Sequence, residues 1–585
     1  MDYVTERYGD KIPAYRAAYP DWWTDGFGSA ARETAASRKT HSDMTAVEGL
    51  LSMAVLKDKC LPQATHQQIE HIHESLLFYD EHTFGASESV SDPLCENSQV
   101  QWGEKSAYAW EAVKRTQMLY ETSVGLLQGD LRRGKNPTLT IFNTLNWKRS
   151  EMLTVYIDFE VIPRNQFFEI TDFQGHSLKV QPIRYRREGC YYAIFAEDIP
   201  PMGYKTFEIV FKQPSTDTGT ITINNASIEN HFYKLQLNPD KGTIQSLYDK
   251  ELNCELVDSS SPWELGAFIY EKLGNRDQLA QYRLDDYNRT GLSECRIIDS
   301  SNGPIYQRIL LQGKSPGTDE AFGVNLEIKL YHDTKRIELE YAIKRLPETD
   351  PSGIYVAFPF QLPEGKLAFD VQGGTVISGK NQLEGTSTDW NTVQNFVSVQ
   401  NNQAQIIIGS SLIPLYQLGD INLGKFQYQK QYERPHVYSW VMNNYWNTNF
   451  KASQEGEFRW SYHLTSSVDP SNNLATKFGW SSRIPLYARV MPTGTENHKP
   501  TEYSAFHFEK DNFLMTSCTP SKEEGYILLN IREIDGKRTN LRILNEDGQT
   551  IPFTIVNAIE EKLENETSEH IFEGYQNKFI KIKRF

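Results

Sequence analysis

The sequence predicts an α+β multidomain fold, an N-terminal three-helix bundle followed by mostly antiparallel β-sandwich domains. Three observations predict it. Apolar residues recur at helical spacing in three stretches between Ser29 and Leu131. From Gly134 to Phe585 the pattern changes to short alternating runs separated by Gly, Pro, Asn and Asp. No stretch alternates strand with helix in the βαβ manner, so a parallel sheet has no support.

Taken in order, residues 1–28 read as a loop with Pro13 and Pro20, ending in the knot Asp21-Trp22-Trp23-Thr24-Asp25-Gly26. Adjacent tryptophans between aspartates are costly to leave in water. They form either a plug that caps the bundle or a wall on which a sugar stacks. The bundle is expected over 29–134. Ser29 is placed to cap its first helix, where Ala30, Ala31, Thr34 and Ala35 offer a small-residue face. Met44, Val47, Leu51 and Val55 continue the stripe to Leu61-Pro62. A second helix is expected from Gln63 to Tyr79 on Ile69, Ile72 and Leu76, with His66, His71 and His73 at its surface. A third is expected from Asn97 to Leu131, with the stripe Trp110, Val113, Gln117, Tyr120, Val124 and Leu127. Between the second and third lies Tyr79-Asp80-Glu81-His82-Thr83-Phe84-Gly85, two carboxylates and an imidazole at a helix end.

The β region divides, by its turn-rich seams at 213–216 and 465–477, into a small domain (135–214), a large sandwich (215–470) and a C-terminal domain (471–585). Strand-like runs such as Leu139–Phe142, Met152–Ile157, Tyr233–Leu237 and Arg336–Tyr341 alternate as half-buried strands do.

Composition narrows the function classes. With 60 basic and 76 acidic residues the net charge is −16, and Lys and Arg are not clustered, which disfavours nucleic acid and anionic membrane as partners. The six cysteines are scattered without a CxxC pair, which argues against a thiolate zinc site or a disulfide framework. Neither a glycine-rich phosphate loop nor a serine elbow occurs. A soluble protein of the cytoplasm or periplasm is expected; oligomeric state is not readable from these features.

PDWWTDGFGSAARETAASRKTHSDM followed by YDEHTFGASESVSDP resembles the segment that closes the active site in bacterial glycoside hydrolase family 38, the α-mannosidase family. TLTIFNTLNWKRSEMLTVYI, IENHFYKLQLNPDKGTIQSLYDKELNCEL, IYVAFPF, QLEGTSTDW and HVYSWVMNNYWNTNF are similar to later segments, in family order. The resemblance implies a catalytic β/α barrel, a three-helix bundle, and β domains that include a large mutarotase-like supersandwich. It also implies hydrolysis of α-linked mannosides by a retaining, zinc-assisted mechanism. The barrel, with its His-x-Asp motif, its nucleophile and its acid/base, has no counterpart in the sequence. The chain therefore resembles the C-terminal portion of such an enzyme, with residues 1–28 a remnant of the barrel junction, no catalytic residue of its own and no activity expected alone.

By the same resemblance His82 matches the zinc ligand that the bundle supplies, followed here by Thr83 where the family more often has Asp. Asp80 and Glu81 stand as substitutes for that aspartate or as partners of the imidazole. Trp23 and Asp25 match the glycosyl pocket, and Asn443, Asn444, Tyr445 and Trp446 match a loop directed toward it. An α-mannoside or related glycan is the partner implied, and Zn2+ the cofactor. The alternative is a non-catalytic carbohydrate-binding or scaffold β-sandwich protein. A third reading, a mutarotase-like epimerase, rests on the pair Glu229 and His231.

Overall fold

The computed structural model describes residues 2–15, 17–213, 226–281 and 283–585. The seam expected at 213–216 lies almost wholly outside the described residues, so that boundary is not placed.

A short exposed helix α1 (Asp2–Tyr8) precedes the bundle of α2 (Ala31–Leu56), α3 (Thr65–Asp80) and α4 (Glu96–Leu127). Met44, Val47 and Leu51 of α2 meet Ile72 and Leu76 of α3 and Ala112 and Leu119 of α4 in one core. On α3 the buried stripe is the expected one. On α4 its first part is displaced by one residue, Ala109, Ala112, Thr116 and Leu119 facing inward while Trp110 is 44% exposed, whereas Val124 and Leu127 are buried as expected. The cause is steric. Small residues let α4 approach α2 closely, and the bulkier aromatics are left on the rim. Ser29 does not cap α2; its hydroxyl donates to Gly26 O at 2.7 Å and tightens the preceding turn instead.

Helix α2 is buried on nearly every side. Its last two turns, through Leu50, Met53 and Ala54, join a second core with Phe513, Cys518, Leu529 and Ile580 near the C-terminus. The strand Tyr487–Met491 pairs antiparallel with Thr138–Asn143, so residues beyond 471 complete a sheet that begins just after the bundle.

The large β unit is two antiparallel sheets packed face to face. One has nine strands and contains Ile337–Arg345 beside Gly456–Ser467; the other has six and contains Phe268–Leu273, Ser352–Phe358 and Val437–Asn443 side by side. Alternate side chains of both sheets interdigitate in a single core, among them Ile354, Phe358, Val437, Leu339 and Tyr462. A helical turn α5 (Asp277–Ala280) interrupts the six-stranded side, and α6 (Asn472–Arg483), capped by Ser471 on Leu474 N, packs on the interior strands Phe396–Gln400 and Gln405–Gly409 of the larger sheet. Among the described residues no helix is long and apolar enough to cross a membrane.

Candidate functional site

Three segments distant in sequence converge at one end of the bundle. These are the turn 21–30, the loop 81–89 after α3, and the loop 443–454 that follows the strand Val437–Asn443 of the six-stranded sheet. Backbone bonds stitch the second to the third: Phe84 N donates to Asn449 O at 3.0 Å, and Asn449 N to Ala86 O at 3.2 Å. Gln454 ties the first to the third, its Nε2 donating to Gly28 O at 2.8 Å and to Asn443 O at 2.9 Å while its Oε1 accepts from Ala31 N. Asn443 adds a bond from Nδ2 to Asp25 O at 2.9 Å.

On this frame stands a row of aromatic rings. The Trp23 ring lies 5.1 Å from the His82 imidazole, edge to face, and 5.2 Å from the Trp446 ring. Trp446 packs on Phe450 at 4.8 Å, and Phe450 on Phe84 at 5.7 Å. Phe84 and Phe450 are buried, whereas Trp23 remains 42% exposed. Solvent therefore meets an indole face and an imidazole edge. Trp22 packs against Trp390 at 5.6 Å and Phe426 at 5.3 Å, in a core of the β unit and not over the end of the bundle.

Asp25 holds the wall from behind. Its Oδ1 accepts from Trp446 Nε1 at 2.8 Å. Burial pushes its carboxyl up to about 7, against the Trp446 hydrogen bond that lowers it. The sign follows from that direction. An acid with a raised folded value binds its proton more tightly when folded, so stability is greatest below pH 4 and falls as pH rises through 7. Asp25→Asn keeps an acceptor for Trp446 and removes the ionisation. We expect the variant to be more stable than the parent at pH 8, by up to about 3 kcal/mol, with the two converging near pH 4 in urea titrations.

His82 projects outward, its side chain 53% exposed, with Nδ1 2.7 Å from Glu81 Oε1. Glu81 in turn accepts from Thr83 N at 3.0 Å, and its carbonyl accepts from the buried Lys105 ammonium, which also holds Phe78 O and so caps the end of α3. With Nδ1–H given to Glu81, Nε2 presents its lone pair; Thr83 Oγ1 stands 3.3 Å from it. This fits one ligand of a shared metal site. It does not make a site by itself, since among the described residues no group of three His, Cys, Asp or Glu is gathered to hold a metal ion.

Trp23, Asp25, Glu81, His82, Asn443 and Trp446 are thus brought together. Asp80, Asn444 and Tyr445, and the separate pair Glu229 and His231, sit elsewhere. Asp80 turns to the opposite side, where its carboxylate accepts from Ser37 Oγ at 3.0 Å and pairs with His41 Nε2 at 2.8 Å. Asn444 is buried at the base of the loop, bonded to Ser352 N, Glu348 O, Asp350 O and Ala452 O. Glu229 pairs with Lys250 at 2.6 Å, and the His231 ring packs on Phe232. Gln454, Phe450 and Lys105 were not legible as parts of the site. The one signal for Lys105 is a lysine at a spacing that places it on the inner face of α4.

Residues 21–127 match the alpha mannosidase middle domain, and residues 228–426 match the glycosyl hydrolases family 38 C-terminal domain. The whole chain is similar in structure to 72% of an alpha-mannosidase from Enterococcus faecalis V583, with a TM-score of 0.74 and 12% identity. It is similar over its whole length to 73% of a protein in the glycosyl hydrolase family 38 from Enterococcus faecalis, with a TM-score of 0.73 and 13% identity. No curated protein matches the sequence. At such identities the structural likeness speaks to the fold.

Proposed function

Because this chain belongs to glycoside hydrolase family 38 through its middle and C-terminal domains, we propose that it serves the retaining hydrolysis of α-linked mannosides and supplies one wall of the sugar site. The observation that carries this is the convergence of Trp23, His82 and Trp446 on one edge, fixed by three chain segments. Each has a separate task. The exposed Trp23 face takes the apolar face of a pyranose by stacking. Trp446 holds Trp23 at its angle, and Asp25 holds Trp446. Glu81 keeps His82 in the tautomer whose Nε2 is a lone-pair donor, suited to one position of a zinc ion. Zinc in such a place supplies Lewis-acid polarisation of the sugar hydroxyls. The two carboxyls that a retaining mechanism requires, about 5 to 5.5 Å apart, are assigned in this proposal to a further domain docked against the same edge. On this reading the chain alone does not turn over substrate.

Intrinsic tryptophan fluorescence tests the wall directly. Titration with an α-linked mannobiose is expected to change the emission of the chain. Trp23→Ala is expected to weaken binding by tenfold or more, the loss of one stacking platform being about 1–3 kcal/mol. An unchanged titration in that variant would remove the sugar site from this edge. A second reading, a carbohydrate-binding module without hydrolysis, is favoured by the same wall, which needs no carboxylate to bind a sugar. It is separated from the first by 4-nitrophenyl α-mannoside cleavage in the chain joined to a family barrel, abolished there by His82→Ala if the first reading holds.

A further inference from the structure

A second opening lies beside the turn that carries the aromatic wall, lined by Asp21, Thr24 and Phe27 but by none of Trp23, His82 and Trp446. It is a cavity of about 1310 Å³, bounded by α2, by the turn 17–24, by the strand Gly374–Ile377 and by the end of α6. Arg38 and Arg483 stand side by side on its wall, Arg483 Nη2 donating to Arg38 O at 3.5 Å. Two adjacent guanidinium groups in a recess repel each other and ordinarily recruit a carboxylate. Among the described residues neither has one within ion-pair distance.

Their hydrogen bonds go to neutral acceptors. Arg483 gives Nε to Ser42 Oγ at 2.7 Å, and Nη1 to Gln394 Oε1 and Asn395 Oδ1 at 3.1 and 3.3 Å. Among the described residues Arg38 gives only Nη2, to Gln394 O at 2.8 Å, and its Nε is buried without a partner. The acids that act on the two arginines are already engaged, Asp80 by Ser37 and His41, and Asp370, the larger influence on Arg483, by Asn395 and Arg532. The lining also includes Thr375, Asn381 and Asn391, whose side chains bond Asn472, Ile377 N and Gln382 in turn. Burial draws both arginines below their usual range, to about 9 for Arg38 and about 10 for Arg483, and for Arg38 the neighbouring guanidinium adds to the effect. An anion between them would relieve that penalty.

We propose that this cavity is an oxyanion site, in which Arg38 and Arg483 bind the phosphate or sulfate group of a small polar ligand whose body lies against Thr375, Asn381 and Asn391. A planar guanidinium fork matches tetrahedral oxyanions. The volume is far larger than a bare phosphate needs and accommodates a sugar-sized ester. The assignment does not depend on the mannoside reading, since none of the residues of the aromatic wall takes part.

The test is calorimetry on the full chain at constant ionic strength, with inorganic phosphate, glucose 6-phosphate and glucose as probes. Both anions are expected to bind and glucose is not. Arg38→Gln is expected to weaken the anions about tenfold or more while raising the melting temperature in chloride, because it removes an uncompensated charge. Arg483→Lys, which keeps the charge and loses the fork, is expected to weaken them as well, and serves if the first variant fails to fold. Tighter binding of glucose 6-phosphate than of phosphate identifies an ester as the ligand; equal binding identifies the bare oxyanion. No heat with either anion, or unchanged affinity in the variants that fold, overturns the site.

Discussion

Glu271→Ala is expected to destabilise the large β unit by about 3–5 kcal/mol, read as a shift in its urea transition. Glu271 is wholly buried on the strand Phe268–Leu273. Its Oε2 takes Arg289 Nε at 2.5 Å, and its Oε1 takes the hydroxyls of Tyr445 at 2.6 Å and Tyr355 at 3.1 Å. Removing the carboxylate leaves Arg289 charged in a site with 13% side-chain exposure, and two tyrosine hydroxyls without an acceptor. Arginine cannot discharge to escape, which is why the loss exceeds that of an ordinary hydrogen bond. Glu271→Gln keeps an acceptor for the tyrosines and should cost less. Because Tyr445 precedes Trp446, the alanine variant should also loosen the aromatic wall and lower its sugar affinity; an unchanged transition would mean that the buried ion pair contributes nothing.

Gly26→Ala is expected to be the more damaging change at the site itself. A Cβ there would lie 2.0 Å from the Phe450 ring, with two further ring atoms within 2.6 Å. The ring cannot swing aside freely, since it is packed between Trp446 and Phe84 and is itself fully buried. Either the turn 24–30 lifts from the loop 443–454 or Phe450 is expelled. A loss of roughly 2–4 kcal/mol is expected, together with loss of mannobiose binding by fluorescence, while the far-ultraviolet signal of the bundle persists. Wild-type affinity in Gly26→Ala would show that the turn and loop need not be in contact.

Much of this architecture was legible because periodicity reports which face of an element is buried. Ile72 and Leu76 on α3, and the alternation along Arg336–Tyr341, are cases in point. On α4 the signal misleads for a definite reason. Hydropathy weights Trp110 and Val113 above Ala109 and Ala112, yet close helix packing selects the alanines. Within the site, Trp23, His82 and Trp446 are conspicuous by residue type and by family resemblance. Several of the contacts that fix them join residues more than 400 positions apart, as from Asn443 to Asp25 or from Gln454 to Gly28. A local pattern does not encode such pairs. The direction of Asp80 was equally hidden, because one residue of helix decides whether a side chain faces the Glu81 side or the His41 side.

The encirclement of α2 by both halves of the β region bears on how the chain is made. Leu50, Met53 and Ala54 emerge from the ribosome more than 450 residues before the side chains that cover them, Phe513, Cys518, Leu529 and Ile580. The edge strand Tyr487–Met491 likewise arrives some 340 residues after the strand Thr138–Asn143 with which it pairs. Throughout translation the nascent bundle carries an uncovered apolar flank beside an unpaired strand edge, the two features that most readily draw chains together. Native assembly is therefore a closing step that waits on residues 487–580, and the interval before it is when chaperones have the most to protect.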